Sequence, residues 1–135
     1  MRNDIFSGKI AFMYPAKMDG NRLQPTLNFY QKNKSLHMHM GIAFVDLNPE
    51  SSYIVILKVF SSIGTELLSS ELGGIPPDQI DPVMKTSFLK VNMFLTVDSP
   101  GECTFQCELI QMLQKTLDSK SVLFNVFMED ANVQA

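Results

Sequence analysis

The sequence predicts an all-β protein that folds as a single antiparallel β-sandwich of about seven strands. Three observations lead to this prediction. Apolar residues recur at every second position in several segments, the period of a strand with one buried face. Turn-forming residues separate these segments, and no strand–helix alternation typical of a parallel sheet is present. The 135 residues, 45% of them hydrophobic, are enough for one domain (1–135) with its own core.

The first third of the chain contains the weakest strand signals. Residues 9–13 predict a short strand, which Tyr14 and Pro15 should end because proline lacks a backbone N–H group. Residues 16–35 are polar and broken by glycine and proline. They predict a long connection with one short strand near residues 27–30.

The middle of the chain alternates more clearly. Residues 36–46 should form a strand whose even-numbered positions face the core: Leu36, Met38, Met40, Ile42 and Phe44. Residues 52–60 are apolar on both faces, which indicates a central strand. Residues 61–64 should turn the chain into a weaker strand over 65–72. Residues 73–82 hold three prolines and two glycines, so little beyond one short helical turn is expected there.

Three further segments complete the predicted sandwich. Residues 86–97 and 102–110 alternate, and a Ser-Pro-Gly turn lies between them. After residue 109 the spacing of apolar residues fits either a short helix or a long hairpin. Residues 116–120 are polar and predict a turn before the last strand at 121–128, and the tail from residue 129 should be frayed.

The order of these elements over roughly residues 36–128 resembles that of immunoglobulin-like sandwiches. The resemblance is architectural, because the chain carries no family motif. The Cys–Trp–Cys arrangement of antibody domains is impossible, since the sequence contains no tryptophan. The resemblance implies an immunoglobulin-like sandwich and no particular activity.

Charge and apolar content exclude two classes of partner. The formal net charge is −3 and lysines and arginines are scattered, whereas a nucleic-acid binder needs a basic face. The apolar runs are far shorter than the ~20 residues that cross a membrane. We therefore expect neither a nucleic acid nor a membrane as partner. No signal peptide follows Met1, which predicts a cytoplasmic protein if Met1 is the native start.

The two cysteines, Cys103 and Cys107, should be small buried side chains. If both residues lie in one regular strand, their Cα atoms are roughly 13 Å apart. A disulfide requires a Cα–Cα distance of less than about 7 Å, so the two cysteines cannot pair with each other there. No second Cys/His pair lies nearby, so the spacing does not indicate zinc.

The only histidines, His37 and His39, are two residues apart on a predicted strand and share its polar face. Imidazole is a good ligand for copper and zinc, so these two residues are the candidate metal ligands. No nucleophile elbow, phosphate-binding loop or dinucleotide motif accompanies them. We therefore expect neither an enzyme nor a cofactor, and no residue is assigned a catalytic role.

The function that remains is a non-enzymatic interaction module: a cytoplasmic adaptor, accessory or inhibitor protein that binds another protein through a strand edge or loops. The alternative is a small-ligand or metal-binding sandwich that uses His37 and His39. Residues 36–46 carry no charge before Asp46. If they form a sheet edge, they could pair two copies into a homodimer. The competing and favoured prediction places them inside a sheet.

Overall fold

A computed structural model describes residues 7–111 and 116–128. Within these ranges the chain forms nine strands and one short 3-10 helix, Pro77–Gln79. The strands are β1 (Lys9–Asp19), β2 (Arg22–Pro25), β3 (Asn28–Gln31), β4 (Leu36–Val45), β5 (Tyr53–Phe60), β6 (Glu66–Ile75), β7 (Ser87–Leu95), β8 (Gly101–Gln111) and β9 (Thr116–Met128). No helix among the described residues is long or apolar enough to cross a membrane.

The strands form two sheets that pack into an immunoglobulin-like β-sandwich, as the sequence predicts. Sheet A has the order β2-β1-β4-β7, and sheet B has the order β3-β9-β8-β5-β6. Neighbouring strands run antiparallel except for β3 and β9, which are parallel. The strand count is nine rather than about seven. The short strand predicted near residues 27–30 is present as β3, whereas β2 lies in the part of this segment that was predicted to be a connection.

The core lies between the sheets and is built by the period-two pattern. Every second residue of β4, β5 and β8 is buried, including Ile42, Leu57 and Phe105, which are at most 1% exposed. Cys103 and Cys107 belong to the same cluster and are free thiols. The predicted faces of residues 36–46, 52–60 and 102–110 are therefore correct. The predicted helical turn after the paired prolines is also present.

The first strand does not end at Tyr14 and Pro15 but continues to Asp19. The carbonyl oxygen of Pro15 accepts a hydrogen bond from Thr26 N–H at 3.0 Å, on the side of β2. Backbone N and O atoms of one strand residue point the same way, so the missing N–H of Pro15 faces away from β4. Its absence costs no hydrogen bond in the β1–β4 ladder, which explains why the proline does not break the strand.

The predicted turn at residues 116–120 is also wrong, because β9 already begins at Thr116. This segment pairs with β8, where Ser119 lies opposite Glu108 and Lys120 opposite Cys107. Ser119 lies on the solvated outer face, whereas Lys120 is exposed although it lies on the same side of the sheet as the buried Cys107. The expected helix or long hairpin after residue 109 falls mostly on residues 112–115, which lie outside the described residues, although β8 itself continues to Gln111. The expected frayed tail also lies outside them.

Strand β4 lies in the interior of sheet A, because it pairs with β1 on one side and with β7 on the other. The favoured prediction for residues 36–46 is confirmed, and the edge alternative is wrong. The strand has no free backbone edge on which a second copy could pair.

Polar bonds join the two sheets. The buried amide of Gln31 in β3 donates to the carbonyl oxygen of Val97 at 2.9 Å and accepts from Val97 N–H at 2.7 Å. Asp118 in β9 accepts from the N–H of Ile10 in β1 at 2.8 Å. These bonds connect sheet B with β1 of sheet A and with the segment that follows β7.

Candidate binding surface

The outer face of sheet A carries a group of aromatic rings that no strand or loop of the described chain covers. Alternate residues of β1, β4 and β7 point to this side. We call this surface the aromatic face and define it by six residues: Phe12, Tyr14, His37, His39, Phe88 and Phe94. Three of its rings are strongly exposed, with exposed fractions of 55% for Phe12, 46% for Phe88 and 67% for Phe94.

The register of the sheet brings three of these rings into one row. Tyr14 lies opposite Gly41, and a Cβ atom built on Gly41 would lie only 2.6 Å from Cζ of Tyr14. The tyrosine ring therefore lies across the β4 backbone at the one position without a side chain. There it stacks between Phe12 and Phe88, with centroids 6.3 Å apart on each side and planes tilted by 23° and 26°. The row spans β1, β4 and β7.

A second group of rings lies at the other end of β4 and β7. His37 is opposite Phe94, and their rings stack at 4.2 Å with an angle of 6° between the planes. His37 Nε2 is in hydrogen-bond contact with Asn92 Oδ1. Because an amide oxygen can only accept, Nε2 donates the hydrogen in this contact, and in the neutral form of the ring Nδ1 then holds the lone pair. The phenylalanine and the asparagine together fix the orientation of this imidazole.

His39 lies beside His37, with ring centroids 4.8 Å apart. Its Nδ1 is enclosed and has no hydrogen-bond partner among the described residues, which leaves Nε2 as the accessible nitrogen. Burial, and secondly the nearby charge of protonated His37, lower the pKa of His39 below its ordinary value. The ring is therefore mainly neutral at pH 7.

The aromatic face carries little charge. Along the outward positions of β4 and β7, Lys90 is the one fixed charge, and it lies opposite Gly41 beside the ring row. No carboxylate occupies an outward position of these two strands. A surface of aromatic rings with one cation and two imidazoles is unusual for the outside of a sheet, where polar residues ordinarily face water.

The structure does bring the two predicted metal ligands, His37 and His39, together on one face. The part of the chain that is described contains no group of three or more His, Cys, Asp and Glu side chains that could hold a metal ion. The two cysteines point into the core from sheet B, on the opposite side of sheet A from the histidines. Burial raises the pKa of Cys107 to about 12, so its thiol stays protonated at neutral pH and is a poor nucleophile.

Sequence reasoning missed the aromatic face itself. One signal was present, because Phe88 and Phe94 fall on the otherwise polar side of residues 86–97. The same pattern gives no sign of Tyr14, which was expected to end its strand. Only the pairing of β1, β4 and β7 reveals that these residues are neighbours.

Comparison with known proteins gives a fold and no family. No protein-family model matches the chain, and no curated protein matches it. Among solved structures, it is similar to the C-terminal domain of wzt, with a TM-score of 0.58, 11% identity, and coverage of 93% of this chain and 77% of that one.

Two bacterial enzymes contain a similar sandwich as a small part of a much longer chain. One is a putative β-galactosidase from Bacteroides fragilis (TM-score 0.61, 10% identity, 87% of this chain and 17% of that chain). The other is a glycosyl hydrolase family 2 member from Bacteroides cellulosilyticus DSM 14838 (0.59, 7%, 88% and 15%). The chain therefore spans less than a fifth of either enzyme. At these identities the likeness concerns the sandwich fold and carries no activity with it.

Proposed function

We propose that this chain is a non-enzymatic module that binds another protein, and that the aromatic face is its contact surface. The single observation that supports the proposal is the exposure of the Phe12–Tyr14–Phe88 row, with Phe94 beyond it, on a sheet face that carries almost no charge. Burying such rings releases water from apolar surface, and aromatic side chains are enriched where proteins bind one another. The cytoplasmic location expected from the sequence remains a prediction.

Three of the four strand edges are poorer candidates than this face, and the fourth, β7, borders the face itself and contributes Phe88, Lys90 and Phe94 to it. The edge strands β2 and β3 are four residues long, too short to pair with much of a partner strand. The β5–β6 ladder is interrupted by two shifts of register, and β6 carries Glu66 and Glu71. Short length, irregular pairing and charge are the devices that keep edges from pairing with other chains.

The chemistry of the face defines the partner that would fit it. Four aromatic rings require an apolar counterpart, and Lys90 would be left unpaired and partly dehydrated unless the partner placed an acidic group against it. We therefore expect a partner protein with an apolar patch that carries at least one Asp or Glu beside it. Such a contact should depend only weakly on salt, since most of the buried area is uncharged.

The test compares two pairs of exposed aromatic residues. Phe12→Ser/Phe88→Ser alters the aromatic face. The control, Tyr30→Ser/Phe127→Ser, removes the stacked pair of exposed rings on the outer side of sheet B. Each variant, tagged, is used for affinity capture from native extract with mass spectrometry. The captured protein is then purified, and its dissociation constant is measured for every variant.

The expected result is one protein that the wild type and the sheet B control both bind, and that the sheet A variant binds at least about tenfold more weakly. Hot-spot aromatic residues commonly have effects of this size. Lys90→Glu should weaken binding of the same protein. Equal binding by both aromatic variants, or capture of no specific protein by the wild type, would contradict the proposal.

A further inference from the structure

The second ring group of the aromatic face, at the end of β4 away from the Phe12–Tyr14–Phe88 row, has a chemistry of its own. His37 and His39 are the only histidines of the chain, and their rings lie 4.8 Å apart on the same side of one strand. Neither ring is needed for the hydrophobic core, which lies on the opposite side of the sheet. Two imidazoles held this close outside the core can act together on one ligand.

We propose that His37 and His39 form an open binding site for an imidazole-preferring divalent transition metal, with copper(II) bound most tightly. His37 offers Nδ1, because Nε2 donates its hydrogen to Asn92. His39 offers Nε2, because its Nδ1 is enclosed by the protein. Water, or a side chain of a bound partner, fills the other coordination positions. The site is independent of the proposed protein-binding function, since it requires only these two rings.

The contact with Asn92 has the form of an outer-shell interaction at a metal site. Metal-binding histidines usually donate their second ring N–H to an oxygen acceptor, which fixes the tautomer and the direction of the lone pair. Asn92 lies opposite His39 in the register, yet its oxygen reaches His37. The stack of His37 on Phe94 restricts the ring further, so one of the two ligands is oriented before the metal arrives.

Two features set the expected affinity. The protein supplies only the two imidazole ligands, so the remaining coordination positions are left to water or a partner. Lys90 lies two residues before Asn92 on the same outward side of β7, and its positive charge repels a metal cation. With two protein ligands and a nearby lysine, binding should be weaker than at closed structural metal sites. Affinity should follow the Irving–Williams order, with Cu²⁺ ahead of Ni²⁺ and Zn²⁺.

The test is calorimetric titration of the untagged protein with Cu²⁺, Ni²⁺, Zn²⁺ and, as a negative probe, Mg²⁺. Cu²⁺ should bind in a one-to-one ratio and Mg²⁺ should not bind. His37→Gln and His39→Gln should each weaken Cu²⁺ binding by about tenfold or more. Asn92→Leu should weaken Cu²⁺ binding, because it removes the oxygen that orients His37. Asn92→Asp keeps an oxygen acceptor and should bind Cu²⁺ at least as tightly as the wild type. Lys90→Gln should strengthen Cu²⁺ binding, because it removes the repelling charge. Asn125→Leu, on the outer side of sheet B, should have no effect.

Two measurements on the wild-type protein need no substitution. The electron paramagnetic resonance spectrum of the Cu²⁺ complex should show coupling to two imidazole nitrogens. Paramagnetic broadening of amide signals should be centred on residues 37, 39 and 92 and should leave residue 125 unaffected. Absence of Cu²⁺ binding, broadening centred elsewhere, or Cu²⁺ binding that survives both histidine substitutions would overturn the proposal. None of these outcomes bears on capture of a partner protein.

Discussion

The outer face of sheet B carries more charged and polar side chains than the outer face of sheet A, although Ile54, Ile56 and Phe60 of β5 also point outward on sheet B. On sheet B, the outward residues of β8 include Glu102, Thr104, Gln106 and Glu108, and Lys58 of β5 lies opposite Gln106. On sheet A, the outward positions of β4 and β7 hold phenylalanine, histidine, asparagine, glycine and small apolar residues with a single lysine, Lys90. Sheet B does expose one stacked aromatic pair, Tyr30 and Phe127, but it lies at the edge formed by β3 and β9.

This difference shows that folding alone does not require the composition of sheet A. Sheet B demonstrates that a polar outer face is compatible with this sandwich, since both sheets bury equivalent inner faces in one core. Aromatic rings in water contribute little to stability compared with buried ones. The composition of the aromatic face therefore fits the proposed binding function, and three stability experiments test how the inner and outer faces of the sandwich differ.

The largest loss of stability is expected for substitutions on the inner faces, and this loss should be similar in the two sheets. Ile42 of sheet A and Leu57 of sheet B are at most 1% exposed. Ile42→Ala and Leu57→Ala should each lower the free energy of unfolding by about 2–5 kcal/mol, the usual cost of a large-to-small core substitution. Urea unfolding measures both. Glu108→Ala on the outer face should stay within about 0.5 kcal/mol of wild type.

If Ile42→Ala lowered the free energy of unfolding as little as Glu108→Ala, the inner face of sheet A would not be part of the core. The distinction between inner and outer faces would then be wrong. A similar cost at all three positions would mean that the assigned faces are shifted by one residue, because such a shift reverses every side chain of a strand.

A smaller effect is expected from the contact between Tyr14 and Gly41. Gly41→Ala should destabilise the wild type, because the new Cβ atom displaces the Tyr14 ring from its stack. In a Tyr14→Ala background the obstacle is gone. Alanine should then stabilise the strand by about 0.5–1 kcal/mol relative to glycine. The double-mutant cycle should give a coupling energy of about 0.5–3 kcal/mol between the two positions.

Ser121→Ala, a small change on the outer face of sheet B, should give the same small effect in both backgrounds. A Gly41→Ala effect that is identical with and without Tyr14 would show that the ring does not lie on the β4 backbone.

The smallest effect concerns Asp46, directly after β4 at the border of the aromatic face. Its carboxylate accepts hydrogen bonds from the N–H and the hydroxyl group of Ser7, which hold its pKa below the ordinary value. A carboxyl group with a lowered folded-state pKa stabilises the protein above its unfolded-state pKa, and this contribution is lost as the pH falls through the folded-state value.

Asp46→Asn should therefore be less stable than wild type at pH 7, and the difference should shrink below about pH 4. Asparagine tolerates the positive φ of this position, so the backbone is not an added cause. Thermal unfolding between pH 3 and pH 7 measures the effect, and Ser7→Ala should reproduce part of it. A difference that persists unchanged at pH 3 would show that the carboxylate charge is not involved.

Most of the strands could be predicted from the sequence because their pattern is local. Residues 36–46, 52–60 and 102–110 alternate or are uniformly apolar, and the inward side of each follows from that pattern alone. Pro15 was misinterpreted because a proline disrupts a ladder only on the side that its nitrogen faces, and here the nitrogen faces Thr26, just beyond the last β1–β2 pair, and not β4. That direction depends on which side β2 and β4 occupy, and the sequence does not encode it locally.

The candidate surface was only half predictable for the same reason. His37 and His39 share a face by their spacing, and this pairing is present in the structure. The ring row depends on contacts among positions 12, 14, 41 and 88, which are adjacent only through the sheet order β1-β4-β7. Sheet order and register follow from global packing, so no local pattern could have joined these residues.

The parallel pair β3–β9 has a consequence for the order in which the protein is made. β9 lies between β3 and β8, and it is the last described strand to leave the ribosome. Until then Phe29 lacks its partner Val126, nearly a hundred residues further along the chain. Pairings this distant in sequence form slowly. A nascent chain that stalls before residue 116 therefore presents β3 and β8 as unpaired edges, the state in which β-proteins recruit other chains and aggregate.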